Sequence, residues 1–337
     1  MFTALKWFYN GCSHYTSGGF KKAESQFNPN DLQVDISHRN YLITGSNSGI
    51  GYSAAMEISK RGGRVHLVCR NREKGEKALN EIKLESNNEN VFLHICDLSL
   101  IRDVKIFSQQ WLESGQTADV LIHNAGIMNN EREETSEGIE KTFATNLLAP
   151  FLLTKLLLDN QKPEQRPLDM KQRVIIVSSG GMLTQKMSTD FEFKRVVTEG
   201  KKWDGMQAYA QTKRASVYLT ELFAQKYPTT NFFSMHPGWV NTPQLESAMP
   251  TFNRLTKRIQ RTPQEGSDTI VWLAISPTVE DNFSALFFQD RHPVDKFISN
   301  SNTESPAQDV EKLWSYLNHY YESIPNYYPS SASSASN

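Results

Sequence analysis

The chain has 337 residues, enough for a sizeable core in one large domain or two small ones. Its 36 Lys and Arg against 37 Asp and Glu leave a net charge of -1, without the basic excess that announces nucleic acid. Cys12, Cys69 and Cys96 are odd in number and widely spaced, which fits neither a disulfide framework nor a Cys-x-x-Cys metal site and points to a reducing compartment.

Taken in chain order, Met1 to Tyr9 crowd Phe2, Leu5, Trp7, Phe8 and Tyr9 around Lys6. Such a segment could lie on a membrane surface, though docking on its own domain is the commoner use. No run reaches the roughly 18 apolar residues that cross a bilayer, and the N-terminus lacks a signal peptide's apolar core, so a soluble, cytoplasmic protein is expected. Leu32, Val34 and Ile36 alternate with polar residues in the period of a half-exposed strand, read as an added edge strand closing an N-terminal extension over 1–39.

Leu42-Ile43-Thr44 then runs into Gly45-Ser46-Asn47-Ser48-Gly49-Ile50-Gly51, and Ala54, Ala55, Met56 and Ile58 follow at helical positions. A strand, a tight turn and a helix N-terminus form an anion site. Gly45 permits the turn, Gly49 lets backbone approach a pyrophosphate, and Gly51 lets helix pack on strand. Arg64–Cys69 is a second strand and Glu73–Leu84 a helix. Val91–Ile95 is a third strand closed by Cys96-Asp97-Leu98, with a helix over Arg102–Glu113 after it. Val120–Ile122 is a fourth, ending in His123-Asn124-Ala125-Gly126. This spacing predicts an α/β fold, a doubly wound Rossmann-type parallel sheet with helices on both faces, in a single domain over 40–323.

Gly138 to Asp159 reads as a helix kinked at Pro150. Arg173–Val177 is a fifth strand leading to Ser178-Ser179-Gly180-Gly181, after which residues 182–206 lose period and read as an insertion. Tyr209 to Tyr227 is helical, and Asn231–Met235 is a sixth strand stopping at His236-Pro237-Gly238. His236 has no metal-ligand companion and reads as a loop residue; no metal is implied. Thr262 caps a helix to Ile275, with Pro263 at its first position. Ala285–Phe288 is the last strand. Val310, Leu313, Trp314, Leu317, Tyr320 and Tyr321 fall on one face of a docking helix over 308–323. The Ser- and Ala-rich end of 324–337 reads as a disordered tail.

Tyr209 and Lys213 stand four apart on one helix face. A tyrosine can give a proton to an alkoxide or take it back, and a fixed ammonium one turn away favours the phenolate that a free phenol, with a pKa near 10, resists. Thr44-Gly45-x-x-x-Gly49-x-Gly51, Asn124-Ala125-Gly126, Asn146, Ser179, Tyr209-x-x-x-Lys213 and Pro237-Gly238 with Thr242 occur in one order near strand ends, and over about 41–291 the chain resembles the short-chain dehydrogenase/reductase family.

The resemblance implies that Tyr209 is the acid/base and that Lys213 also holds the nicotinamide ribose. Ser179 would polarise the substrate oxygen, and Asn146 would orient a water linking Lys213 to solvent. It further implies cofactor contacts from the Gly45–Gly51 turn, Asp97 and Leu98 at the adenine, Asn124, Ala125 and Gly126 near the ribose, and Pro237, Gly238 and Thr242 beside the nicotinamide carboxamide. His123 stands where the family commonly has asparagine, and Ala149 and Pro150 replace a common glycine.

The second strand ends Val68-Cys69-Arg70 with no carboxylate before Glu73, so NADP(H) is preferred, with NAD(H) a secondary option and Arg70 the 2′-phosphate ligand. Trp239, Leu245, Met249, Phe252 and Leu255 form an apolar lid within 239–260, which implies a lipophilic carbonyl or alcohol such as a retinoid, steroid or fatty aldehyde. The family usually pairs through helices, so a homodimer is open. A non-catalytic NADP(H)-binding regulatory or scaffold protein is the alternative, and it has no need of an intact Ser179, Tyr209 and Lys213.

Overall fold

The computed structural model describes residues 2–162 and 170–323, so the expected tail over 324–337 lies outside them. Two helices, α1 (Phe2–His14) and α2 (Ser17–Glu24), precede β1 (Asn40–Thr44). The first unit continues through α3 (Gly49–Lys60), β2 (Arg64–Cys69), α4 (Arg72–Ser86), β3 (Val91–Ile95), α5 (Ile101–Glu113) and β4 (Val120–His123). Next come α6 (Lys141–Phe143), a π-helical turn (Ala144–Leu148), α7 (Ala149–Asn160), β5 (Gln172–Val177), α8 (Lys194–Thr198), α9 (Gly205–Lys226) and β6 (Thr230–Met235). The chain ends through α10 (Pro243–Ala248), α11 (Pro250–Thr256), α12 (Pro263–Ile275), β7 (Phe287–Gln289), β8 (His292–Pro293) and α13 (Ala307–Ser323).

The strands form one sheet in the order β3-β2-β1-β4-β5-β6-β7-β8, parallel except for β8. Successive strand residues face opposite sides, and both sides are apolar because helices cover both. Leu42, Leu121, Val174 and Phe232 enter a core with α5, α7, α9 and α13. Their neighbours Ile43, Ile122, Ile175 and Phe233 enter a second core with α3 and α12. On α13, Leu313 and Leu317 are buried, as the helical face predicts.

Two expectations change and one strand is new. Leu32 to Ile36 is not a strand: Pro29–Leu32 is a 3-10 helix capped by Asn28, and Ile36 is buried in the second core with Leu32 and Val34 packed against it. Alternation reports which side chains are buried but not which backbone they pair with, and β1 already has β2 and β4 as neighbours. Pro150 acts through the π-helical turn just before it, which widens the register where proline has no N–H to give. β8, a two-residue antiparallel return, is too short to leave a periodic trace.

Four histidines are held in apolar or crowded places. His66 Nδ1 lies 3.0 Å from His94 Nε2, and both rings pack on Trp111. His123 Nε2 meets Thr154 Oγ1 at 2.7 Å. Burial pushes His66 and His123 down to about 3 and His236 to about 4, and it lowers His94 as well. A base with a depressed folded pKa binds fewer protons folded than unfolded. Its contribution is therefore complete above the unfolded value of about 6.5 and is lost as pH falls toward the folded one. The unfolding free energy from urea titration should fall between roughly pH 7 and pH 5, by about 1–2 kcal/mol for each of His66, His123 and His236, with lower midpoints as the readout. His123→Asn should soften that fall; equal midpoints at the two pH values would refute neutral burial.

Candidate active site

The strand order reverses between β1 and β4, which leaves a crevice at the C-terminal ends of the strands. The two strand ends are stitched there by one hydroxyl and one amide. Thr44 Oγ1 accepts from the Asn124 and Ala125 N–H groups at 3.0 and 3.1 Å and donates to the Ile122 carbonyl. Asn124 Nδ2 donates to the Thr44 and Gly45 carbonyls at 3.0 and 3.1 Å.

Glycine is required in this turn. Gly45 has φ +65° and a Cβ there would stand 2.9 Å from Ala125 Cα, while a Cβ on Gly51 would stand 2.3 Å from Asn124 Nδ2. Ser48 gives α3 no side-chain cap, so the first amides of that helix are available to a ligand.

A cavity of about 1140 Å³ opens on this turn and runs to the end of β6. Its lining includes Gly45, Asn47, Ser48, Gly49, Ile50, Arg70, Asp97, Leu98, Asn124, Ala125, Gly126 and Thr242 at one end, and Ser179, Tyr209, Lys213, Pro237 and Gly238 at the other. Thr242 lies within van der Waals reach of the Gly49 position, so the segment after β6 closes over the glycine turn. Ser46 and Gly51 do not line the cavity: Ser46 Oγ turns back to the Ile43 carbonyl at 2.9 Å, and Gly51 serves helix packing.

Tyr209 and Lys213 come from α9, whose start is fixed by Asp204 capping the Gln207 N–H. Lys213 Nζ donates to the Val177 carbonyl at 2.8 Å and stands 5.6 Å from the centre of the Tyr209 ring. Burial lowers Lys213 to about 8 and raises Tyr209, the latter opposed by a hydrogen bond with Ser179. Ser179 Oγ accepts from the Gly181 N–H at 3.2 Å, and its own hydrogen is directed at the Tyr209 oxygen, the bond that opposes the rise. A Cβ on Gly126 would come 3.1 Å from Lys213 Nζ, so that glycine makes room for the ammonium.

Asn146 is held by three side-chain hydrogen bonds. Oδ1 accepts from the Ile127 N–H at 2.8 Å, and Nδ2 donates to the Ile127 carbonyl and to Thr212 Oγ1 at 2.9 and 3.2 Å. The side-chain amide thereby ties the loop after β4 to α9.

His236, read from sequence as a loop residue, is buried and accepts the Gly238 N–H at Nδ1, 3.2 Å away, while Nε2 meets Gln289. It shapes the Pro237-Gly238 turn. Of the expected lid, Trp239, Leu245, Met249 and Phe252 line the cavity, but Leu255 is 76% exposed and does not. The 182–206 stretch folds over the site's flank: Phe193 stacks edge-on to Trp203, whose Nε1 donates to the Asn129 carbonyl.

Sequence reasoning missed two groups. Lys74, in the first turn of α4 and four residues after Arg70, also lines the cavity; a second basic residue in the first turn after β2 is the signal that could have found it. Thr3, Ala4, Trp7 and Tyr15 line the other end, with no motif to mark them.

Residues 39–188 match the short chain dehydrogenase family model. The chain is 45% identical over 314 residues to dehydrogenase/reductase SDR family member 12 of Bos taurus, covering 93% of this chain and 96% of that one. It is 31% identical to retinol dehydrogenase 14 of Mus musculus over 81% of this chain and 83% of the other. A short chain dehydrogenase from Escherichia coli CFT073 complexed with NADPH superposes with TM-score 0.59 at 22% identity, covering 79% of this chain and 100% of that one. The chain belongs to the short-chain dehydrogenase/reductase family, oxidoreductases acting on CH–OH and C=O groups. Among the described residues no helix is long and apolar enough to cross a membrane, and no cluster of His, Cys, Asp and Glu could hold a metal.

Replacing Thr44 by valine would leave the Asn124 and Ala125 N–H groups without their acceptor. The expected loss is about 1–3 kcal/mol in urea unfolding, with Thr44→Ser close to wild type. A valine variant as stable as wild type would show that the stitch is dispensable.

Proposed function

We propose that the protein is an NADP(H)-dependent dehydrogenase/reductase acting on lipophilic carbonyl or alcohol substrates. The observation that carries the reading is the convergence of Ser179, Tyr209 and Lys213 at one end of a cavity whose other end is a glycine turn and an uncapped helix N-terminus. Bound NADP(H) would supply or accept the hydride. The chain's own residues would do the rest. Ser179 would turn its hydroxyl hydrogen from Tyr209 to the carbonyl oxygen, and Tyr209 would deliver the proton that the nascent alkoxide needs. The Lys213 ammonium would stabilise the phenolate left behind, and Asn146 would keep α9 in register with the loop after β4.

Apolar lining from Trp239, Leu245, Met249 and Phe252 supports a lipophilic substrate, in keeping with the retinol named for one relative. Tyr209→Phe should lower kcat/KM for carbonyl reduction by roughly 10²-fold or more while leaving NADPH binding intact. Equal turnover by the two proteins would remove Tyr209 from the chemistry. A wild type that binds NADPH tightly and reduces no carbonyl would favour the regulatory alternative.

The cofactor preference rests on charge at the end of β2. Arg70 and Lys74 both line the cavity, no ion pair among the described residues engages either, and Glu73 is not part of the lining. Two unneutralised cations there suit a 2′-phosphate and not a bare ribose hydroxyl. Arg70→Asp should weaken NADPH by about 10- to 150-fold and NADH much less, read as Kd by fluorescence titration. If both cofactors weaken alike, Arg70 does not touch the phosphate.

A further inference from the structure

Among the features outside the expected catalytic set, α1 stands out because it adds a wall to the cavity from far away in the chain. Thr3, Ala4, Trp7, Gly11 and Tyr15 recur at helical spacing along one stripe, and all but Gly11 line the cavity. Gly11 is where the stripe meets the lid: a Cβ there would lie 2.2 Å from the Trp239 ring, so only glycine lets the helix approach this closely. Trp7 is fixed on both sides. Its Nε1 donates to the Gly180 carbonyl at 2.7 Å, one residue past Ser179, and its ring lies 5.7 Å from Trp239 and 6.5 Å from Tyr15. Tyr15 in turn packs edge-on to His236 at 4.6 Å.

The far end of α1 is clamped as firmly. Trp239 N–H donates to the Tyr15 carbonyl at 2.7 Å, Arg261 donates to the His14 and Thr16 carbonyls, and Ser17 Oγ donates to Glu265 at 2.7 Å. A helix held at its C-terminal end and pinned to the serine turn in its middle is a rigid boundary.

We propose that α1 is the specificity wall of the substrate cavity, with Trp7 setting the room available to the substrate beyond Ser179 and Ala4 setting it at the mouth. This rests on the dehydrogenase/reductase reading above. An apolar indole beside the serine turn favours substrates that present a flat apolar body next to the reacting carbonyl and limits how large that body can be. Because Trp7 touches the turn and not the proton donors, its removal should redistribute kcat/KM among substrates; a loss of the Gly180 hydrogen bond alone would scale all of them together.

The test uses the full-length protein with NADPH and a series of benzaldehyde, naphthaldehyde and pyrenecarboxaldehyde. Trp7→Ala should raise the kcat/KM ratio of the largest aldehyde to benzaldehyde about tenfold or more, with the Kd for NADPH unchanged. Trp7→Phe should fall between the two. Ala4 is exposed, so Ala4→Trp should be tolerated by the fold, and it should move the same ratio the opposite way. Should Trp7→Ala fail to fold, the Ala4→Trp ratio decides. Ratios within twofold of wild type in an active Trp7→Ala or Ala4→Trp protein overturn the wall while leaving the enzyme reading standing. A wild type that binds NADPH and reduces none of the aldehydes overturns both.

Discussion

Arg261 is the interaction on which the substrate end of this molecule depends. A guanidinium has five N–H donors, and a buried one must satisfy all of them. Nη1 and Nη2 meet the two Asp290 carboxylate oxygens at 2.6 and 2.9 Å, and the remaining donors reach the carbonyls of Pro237, Thr16 and His14. Three stretches far apart in sequence thereby share one charge: the N-terminal segment, the turn after β6 and the loop after β7. Gly238, at φ +82°, lies so near that a Cβ would stand 2.5 Å from Nε. The turn expected beside the nicotinamide therefore takes its shape from the same arginine that fastens α1.

The cofactor end has a different logic. There the parallel sheet provides the crevice, and Thr44 and Asn124 keep its two lips in register through backbone contacts. The proton-handling groups hang between these two halves on α9, with Ser178 Oγ donating to the Lys213 carbonyl and Thr212 joining the helix to Asn146. Burial alone would leave Tyr209 protonated and weaken the charge on Lys213. What joins them is proximity: Lys213 Nζ stands 5.6 Å from the centre of the Tyr209 ring, and an ammonium so close favours a phenolate over a phenol.

Much of this was legible in the sequence because it repeats or is local. Apolar runs of strand length gave β2 and β3 their bounds, and Thr262 with Glu265 forms the capping box that opens α12. Glycines at the first turn and a tyrosine four before a lysine are local patterns as well. Isolated long-range pairings leave no such trace. Nothing around Arg261 in the chain, between Gln260 and Thr262, distinguishes it from a surface arginine, and Trp7 reads as one more aromatic in an amphipathic helix. The alternation of Leu32, Val34 and Ile36 was misleading for the same reason, since it encodes burial under α12 and α3 and not membership of the sheet. Ser46 sat within a recognisable turn, yet its hydroxyl satisfies the end of its own strand.

The contacts that fix α1 also set when it can become ordered. Trp7 must find Gly180, and Ser17 must find Glu265, partners separated by 173 and 248 residues. Closing loops of that length is entropically costly until the sheet between them exists. α1 thus has its full set of contacts only once the turn after β6 and α12 are in place. Until then the aromatic stripe of α1 and the cavity it will close both stand open to solvent. With the sheet formed and α1 undocked, the cavity lacks a side.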